Sequence, residues 1–303
     1  MSDSWKLTLP CTKAEAEALT GDIAALAELD PPPVLMASEP DESRPDAWEL
    51  IGYFESRPDE ATIALIRTLV PSARRRKPVV ERIPEADWVT ISQAGIAPVR
   101  AGRFFVHTSA HADAAPGDAK SFLIEAGLAF GTGQHETTTG CLLMLDRMKR
   151  RGAVHRNLID IGTGTGLLAF AAMHLWPLAF ATASDIDPVS IAVTRENAAA
   201  NAIALGRDHG ALDLAVAAGL DHPRLVRGAP YDLIIANILA QPLIDLAPSV
   251  AAALAPGGSL ILAGLLDGQA GRVAAAYRRQ GLRLADRIDR GDWPTLRMVK
   301  RRR

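Results

Sequence analysis

The chain has 303 residues, 48% hydrophobic and 22% charged, with a formal net charge of -2, the profile of an ordinary globular protein of about two domains. Near-neutrality excludes a general case for binding nucleic acid or membrane surfaces. Cys11 and Cys141 are too few for a disulfide framework, the first residues lack a basic region followed by an apolar core, and every apolar stretch is broken before the roughly 20 residues a membrane span needs, so a cytoplasmic protein is expected.

Residues 1–83 read as one small α+β unit. Trp5 to Pro10 alternates like a strand, and Lys13 to Leu29 has helical spacing behind Thr12 as N-cap, until Pro31 to Pro33 stops it. Val34 to Ser38 and Trp48 to Glu55 follow as strands, Asp59 to Leu69 as a helix and Val79 to Ile83 as a closing strand. The order βαββαβ is that of the split ferredoxin-like unit. It carries no glycine loop and no cluster of catalytic residue types, which suits recognition of a substrate rather than chemistry. Its run Arg74, Arg75, Arg76, Lys77 reads first as a solvated loop, with a nucleic-acid contact as the alternative. Residues 84–97 read as a linker with a helical turn near Trp88.

Residues 98–303 read as a second, larger domain. Phe104 to Thr108 and Phe122 to Glu125 are strand candidates. Gly127 to Gly140, GLAFGTGQHETTTG, reads as a loop able to fold over a ligand, leading into an apolar helix from Cys141 to Met148. Asn157 to Gly166, NLIDIGTGTG, is a buried strand that breaks into three alternating glycines, and Leu167 to Trp176 continues as a helix. Strand Phe180 to Asp187 and helix Pro188 to Ala204 follow, with proline in the first turn where it costs no hydrogen bond. Asp213 to Ala217, Tyr231 to Leu239 and Ser259 to Leu266 are further strands, and Gln241 to Leu254 and Gly268 to Arg279 further helices. Leu284 to Ile288 and Leu296 to Val299 close the sheet as an antiparallel pair. This alternation implies a doubly wound, Rossmann-like α/β sheet. Right-handed crossovers gather the loops after its first, second and fourth strands at one edge, where ligands bind.

At that edge the turn from Gly162 to Gly166 would meet Asp185 and Asn237. Asp185 lies 23 residues past Gly162, a spacing suited to an acid that bonds ribose hydroxyls. Asp187 competes from the same strand face but is assigned to capping the helix at Pro188. A dinucleotide fold needs G-x-G-x-x-G, whereas Leu167 holds the place of the third glycine, and no basic residue stands near to pair a phosphate. Asp160 would repel a phosphate and suits a cation such as an amino group. An adenosine with an amino-acid tail and no phosphate fits, and that ligand is S-adenosylmethionine. No metal site is expected.

The segments FGTGQHETT (130–138), DIGTGTGLLA (160–169), SDIDP (184–188) and ANILAQPL (236–243) resemble the bacterial ribosomal protein L-eleven methyltransferases of the PrmA type, which are class I methyltransferases. The likeness covers residues 84–303, including Asp292 and Trp293, and the first 83 in length and element order. It places the family's cofactor positions on Thr138, Gly162, Asp185 and Asn237; Phe130, Gly164 and Asp160 lie in the same motifs and are expected to border the cofactor too. The resemblance implies that the Thr138 loop closes over the methionine end and that the small domain presents the protein substrate. It further implies that lysine side-chain and N-terminal α-amines of ribosomal protein L-eleven, free or on the large subunit, are carried to the trimethyl state. Thr165 departs from the family's usual serine. A monomer is expected.

The chemistry asks little of side chains, because the cofactor carries the activated methyl and the protein supplies orientation. Asn237 is the expected catalytic-site residue, its side-chain oxygen orienting a neutral amine. No general base stands out, and His135 suits packing or capping better. Alternatives are methylation of another protein amine or amide, or of a small molecule, and a non-catalytic nucleotide-binding module. The segment N-I-L-A lacks the prolines and aromatic that a stacked planar substrate would want.

Overall fold

The computed structural model describes residues 4–18, 33–38, 48–54, 56–83, 97–125 and 136–302, which fall into two compact units, residues 1–92 and 93–303. The linker expected at 84–97 lies outside the described residues except for Ala97, as does most of the helix expected beyond Ala18.

In the first unit, β1 (Ser4–Cys11), α1 (Lys13–Ala18), β2 (Val34–Ser38), β3 (Trp48–Phe54), α2 (Glu60–Leu69) and β4 (Val79–Ile83) follow the expected order. The strands form an antiparallel sheet ordered β2-β3-β1-β4. Thr12 starts α1 through a reciprocal cap: Glu15 N–H donates to Thr12 Oγ1 at 3.3 Å and Thr12 N–H donates to Glu15 Oε2 at 2.8 Å. Leu7, Leu9, Leu50, Ile66 and Val70 form the core. Arg74 to Lys77 are exposed beyond a short 3-10 turn, Pro71–Ala73.

The second unit is built on a seven-stranded sheet. Its strands are β8 (Asn157–Ile161), β9 (Phe180–Asp185), β10 (Leu212–Val216), β11 (Tyr231–Asn237), β12 (Leu254–Ala263), β13 (Leu282–Arg290) and β14 (Trp293–Lys300). The order is β10-β9-β8-β11-β12-β14-β13, parallel through β12 and antiparallel at β14 and β13. A three-stranded sheet precedes it: β5 (Val99–Ala101), β6 (Phe104–His107) and β7 (Lys120–Leu123). β5 is an addition to the sequence reading, and β7 begins two residues before the expected Phe122.

Helices cover both faces. α3 (Glu136–Arg150), α4 (Leu167–Leu175) and α5 (Pro188–Ala200) pack with β5 to β7 on one side, around Phe104, Phe122, Leu142 and Phe170. α6 (Pro223–Gly228), α7 (Ala240–Asp245), α8 (Ala247–Ala253) and α9 (Asp267–Arg279) cover the other, around Leu225, Leu243, Val250 and Tyr277. Asn201, the C-cap of α5, clasps β7 by accepting from Leu123 N–H at 2.9 Å and donating to Leu123 O at 2.7 Å.

Four expectations are corrected. Glu136 to Gly140 belong to the first turns of α3 rather than to a loop. The strand expected to reach Asp187 stops at Asp185, and Asp187 caps α5 by accepting from Val189 N–H at 2.9 Å. The helix expected over Gln241 to Leu254 is two helices meeting at Leu246, because Pro248 starts a new first turn. The strand expected at Ser259 to Leu266 runs instead from Leu254 to Ala263.

α7, which follows the N-I-L-A segment, is held by Tyr277 of α9, whose hydroxyl donates to Leu243 O at 2.9 Å in the core. Tyr277→Phe strands that buried carbonyl and should lower stability by about 1–3 kcal/mol in a urea titration; an unchanged midpoint would show that the tether contributes nothing.

Candidate active site

Where β8 ends, three glycines carry the chain across the sheet edge with positive φ: Gly162 at 70°, Gly164 at 57° and Gly166 at 88°. Side-chained residues avoid this region. At Gly162 the space is closed as well, since a Cβ would lie 2.3 Å from Ile238 Cγ2. The turn is tied down from β9 and α5. Ser184 O accepts from Gly162 N–H at 2.8 Å and Thr163 N–H at 3.0 Å, and Asp185 Oδ2 accepts from Gly164 N–H at 3.0 Å. Thr194 Oγ1 donates to Gly164 O at 2.8 Å and Asn197 Nδ2 donates to Thr165 O at 2.9 Å.

Beside this turn lies a cavity of about 760 Å³, within the range of small-molecule sites. It brings together Thr138, Gly162, Gly164, Asp185 and Asn237 from four elements distant in sequence. Asn237, the last residue of β11, donates from Nδ2 to Thr138 Oγ1 at 3.3 Å, while its Oδ1 is buried with no partner among the described residues. A buried acceptor left this way costs free energy unless a ligand donates to it. Asp185 presents a carboxylate whose two oxygens accept from Gly164 N–H and Asp187 N–H, each at 3.0 Å. Among the described lining residues the only ionisable side chains are Asp185 and Asp245. With no lysine, arginine or histidine in that lining, the site has nothing to pair a phosphate and much apolar wall to hold a base and a chain.

Asp160 is placed differently from the expectation that it borders the cofactor. It is 1% exposed, one residue before β8 ends, and does not line the cavity. Thr163 Oγ1 donates to its Oδ2 at 2.7 Å, and its Oδ1 has no partner among the described residues. Burial pushes its pKa up to about 7, with the Asp185 charge adding to the rise. Phe130 and His135 lie outside the described residues.

The family model described as ribosomal protein L11 methyltransferase (PrmA) matches residues 6–301. The chain belongs to this family. A ribosomal protein L11 methyltransferase from Brucella suis is 41% identical over 97% of this chain and 98% of its own length, and one from Rhizobium meliloti is 38% identical over 97% and 99%. A crystal structure of the ribosomal protein L11 methylase from Lactobacillus delbrueckii subsp. bulgaricus, 28% identical, superposes with a TM-score of 0.58 and covers 68% of this chain and 100% of its own.

In this L11 methyltransferase family member the cavity is also lined by residues that were not expected to border it. Ala217, Ala218 and Gly219 follow β10, so the loop after the third strand shares the edge with the others. Trp293 reaches the cavity from β14, and Thr137 and Ser190 add hydroxyls. The rule that every parallel strand delivers its C-terminal loop to one edge would have found the first group. Trp293, which follows the hairpin turn at Gly291, is part of the family likeness, but no pattern in the sequence places it at the cavity.

The raised pKa of Asp160 makes a stability statement. Between the ordinary 3.8 and about 7 the folded chain holds a proton that the unfolded chain releases, so this group's contribution falls as pH rises through that window. Asp160→Asn removes the titration, and the melting temperature of the variant relative to the parent should climb from pH 4 to pH 7. A difference that stays flat across that window would refute the buried, protonated state.

Proposed function

We propose that this protein is an S-adenosylmethionine-dependent methyltransferase whose substrate is ribosomal protein L11, with amine nitrogens as acceptors, lysine side chains and the N-terminal α-amine carried to the trimethyl state. Membership of the L11 methyltransferase family supports the reaction and substrate. The observation that carries the reading is the cavity beside the glycine turn: free of basic side chains in its described lining, edged by the Asp185 carboxylate, and holding the orphaned Asn237 Oδ1.

Those residues fit the cofactor. The turn from Gly162 to Gly164 and the Asp185 carboxylate would hold the adenosine and its ribose hydroxyls. Thr138 and Asn237 stand where the methionine end and the acceptor would meet. S-adenosylmethionine, when bound, supplies a methyl on a sulfonium sulfur that needs no further activation. The protein's part is to deliver a neutral amine in line. An apolar cavity disfavours the ammonium form and lowers the acceptor's pKa. Asn237 Oδ1 accepts an N–H of that amine and aims its lone pair, and alignment of this kind is worth about 7–11 kcal/mol of barrier in well-oriented reactions. The described lining holds no lysine or histidine, its carboxylates Asp185 and Asp245 are assigned no role as base, and the acceptor's proton is read as leaving to solvent.

Residues 1–83, with their own core and none of the cavity's described lining, are assigned to presenting the protein substrate, and the exposed Arg74 to Lys77 run to a minor contact with ribosomal RNA. The enzyme is read as a cytoplasmic monomer; among the described residues no helix is long and apolar enough to cross a membrane.

The direct test supplies labelled S-adenosylmethionine and purified ribosomal proteins, then maps the label by mass spectrometry. Label on L11 amines is expected; label on another protein alone would keep the reaction and overturn the substrate. Two variants separate the roles. Asp185→Ala should weaken cofactor binding at least about tenfold by calorimetry, the loss of roughly one charge-assisted hydrogen bond. Asn237→Ala should cut turnover more than it cuts cofactor affinity; equal losses in both would reassign it to the cofactor alone.

A further inference from the structure

The opposite edge of the large sheet, where β8 and β9 begin, holds a second cavity of about 510 Å³. Four arginines line it, Arg156, Arg207, Arg224 and Arg227, against two aspartates, Asp208 and Asp213. In a chain with a formal net charge of -2, this is a local excess of positive charge. Asp213 is shared by Arg224 at 3.2 Å and Arg207 at 3.6 Å. Arg156 and Arg227 are exposed and have no acidic partner among the described residues. The backbone beneath Arg156 is nevertheless fixed, because its N–H donates to Asp232 at 2.8 Å.

The same cavity contains an aromatic pair. Phe180, the first residue of β9, is 43% exposed, and its ring lies 3.8 Å from the His209 ring, centroid to centroid, tilted by 35°. His209 Nδ1 donates to Leu178 O at 2.7 Å, which holds the imidazole in place. A solvated loop needs no exposed phenylalanine set on an ordered histidine. A bare anion needs only the arginines, and the cavity is much larger than a phosphate.

We propose that this cavity binds a nucleotide, its base against the Phe180–His209 pair and its phosphate on Arg156 and Arg227. Flat aromatic faces flanked by guanidinium groups are how proteins hold unpaired nucleotides, through stacking and phosphate pairing together. An acidic peptide would use the arginines and leave the aromatic pair without a role. The nucleotide comes either from a single-stranded RNA segment or from the free pool, and the chemistry of recognition is the same. The site stands at the far edge of the sheet from the glycine turn, so it is independent of the assignment of methyl transfer.

The test measures binding of a fluorescein-labelled short single-stranded RNA by anisotropy, and of adenosine monophosphate by calorimetry, to the full-length protein at low and at physiological salt. Binding of the RNA alone assigns the site to an RNA strand; binding of the mononucleotide assigns it to the free pool. In either case Phe180→Ala should weaken binding about tenfold, as expected for a lost stacked base. The double variant Arg156→Gln, Arg227→Gln should weaken it and flatten its salt dependence. Charge reversal at Arg227 alone (Arg227→Glu) gives the same reading should the double variant fold poorly. The proposal is overturned if neither ligand binds, if the arginine variants leave binding intact, or if Phe180→Ala has no effect, which would mark a plain anion site.

Discussion

The second unit depends on one backbone crossing: a turn of three left-handed glycines at the end of β8, held to β9 by hydrogen bonds. Ser184 O takes two of its amides and the Asp185 carboxylate a third, while Thr194 and Asn197 of α5 hold its carbonyls. Glycine loses more conformational freedom on folding than any other residue, so a turn this rich in it stays in one shape only when its surroundings over-determine it. These bonds do so. They leave the backbone facing the cavity with no side chain between, and they fix where the Asp185 carboxylate stands relative to the turn.

The described lining of the cavity gathers the glycine turn, Asp185 and the loop after β10 with Thr138 of α3, Asn237 of β11 and Trp293 of β14. Asn237 Oδ1 is buried there with no hydrogen-bond partner among the described residues. On the proposed function, the glycine turn and Asp185 would hold the cofactor and Asn237 would meet the acceptor.

Much of this was legible in the sequence, for identifiable reasons. Buried parallel strands announce themselves as short apolar runs, so β8 and β11 were placed to within two residues, and Asp185 and Asn237 with them. Glu136 to Gly140 misled because threonine and glycine are poor helix formers. Their small size is what the site requires: a Cβ on Gly140 would lie 2.2 Å from Thr295 Oγ1, so only glycine lets α3 approach β14 this closely. Here tertiary packing overrides propensity. Asp160 misled for a different reason. Adjacency in sequence to the turn suggested adjacency to the ligand, but a residue one step inside the strand is enclosed by the sheet. Trp293 was marked only by the family likeness and not placed at the cavity, because nothing local links a hairpin to a cleft that begins more than a hundred residues earlier.

Asp185 holds the turn and, on the proposed function, the cofactor as well, and that double duty bears on how this fold would decay over generations. A descendant freed from catalysis would still need the aspartate to keep its glycine crossing in shape, and selection for mere folding would preserve it. Asn237, whose side chain has one hydrogen bond, to Thr138, and an acceptor with no partner among the described residues, would be released to drift. For sorting working lineages from retired ones, the asparagine is the informative position and the acid is a relic that both would share.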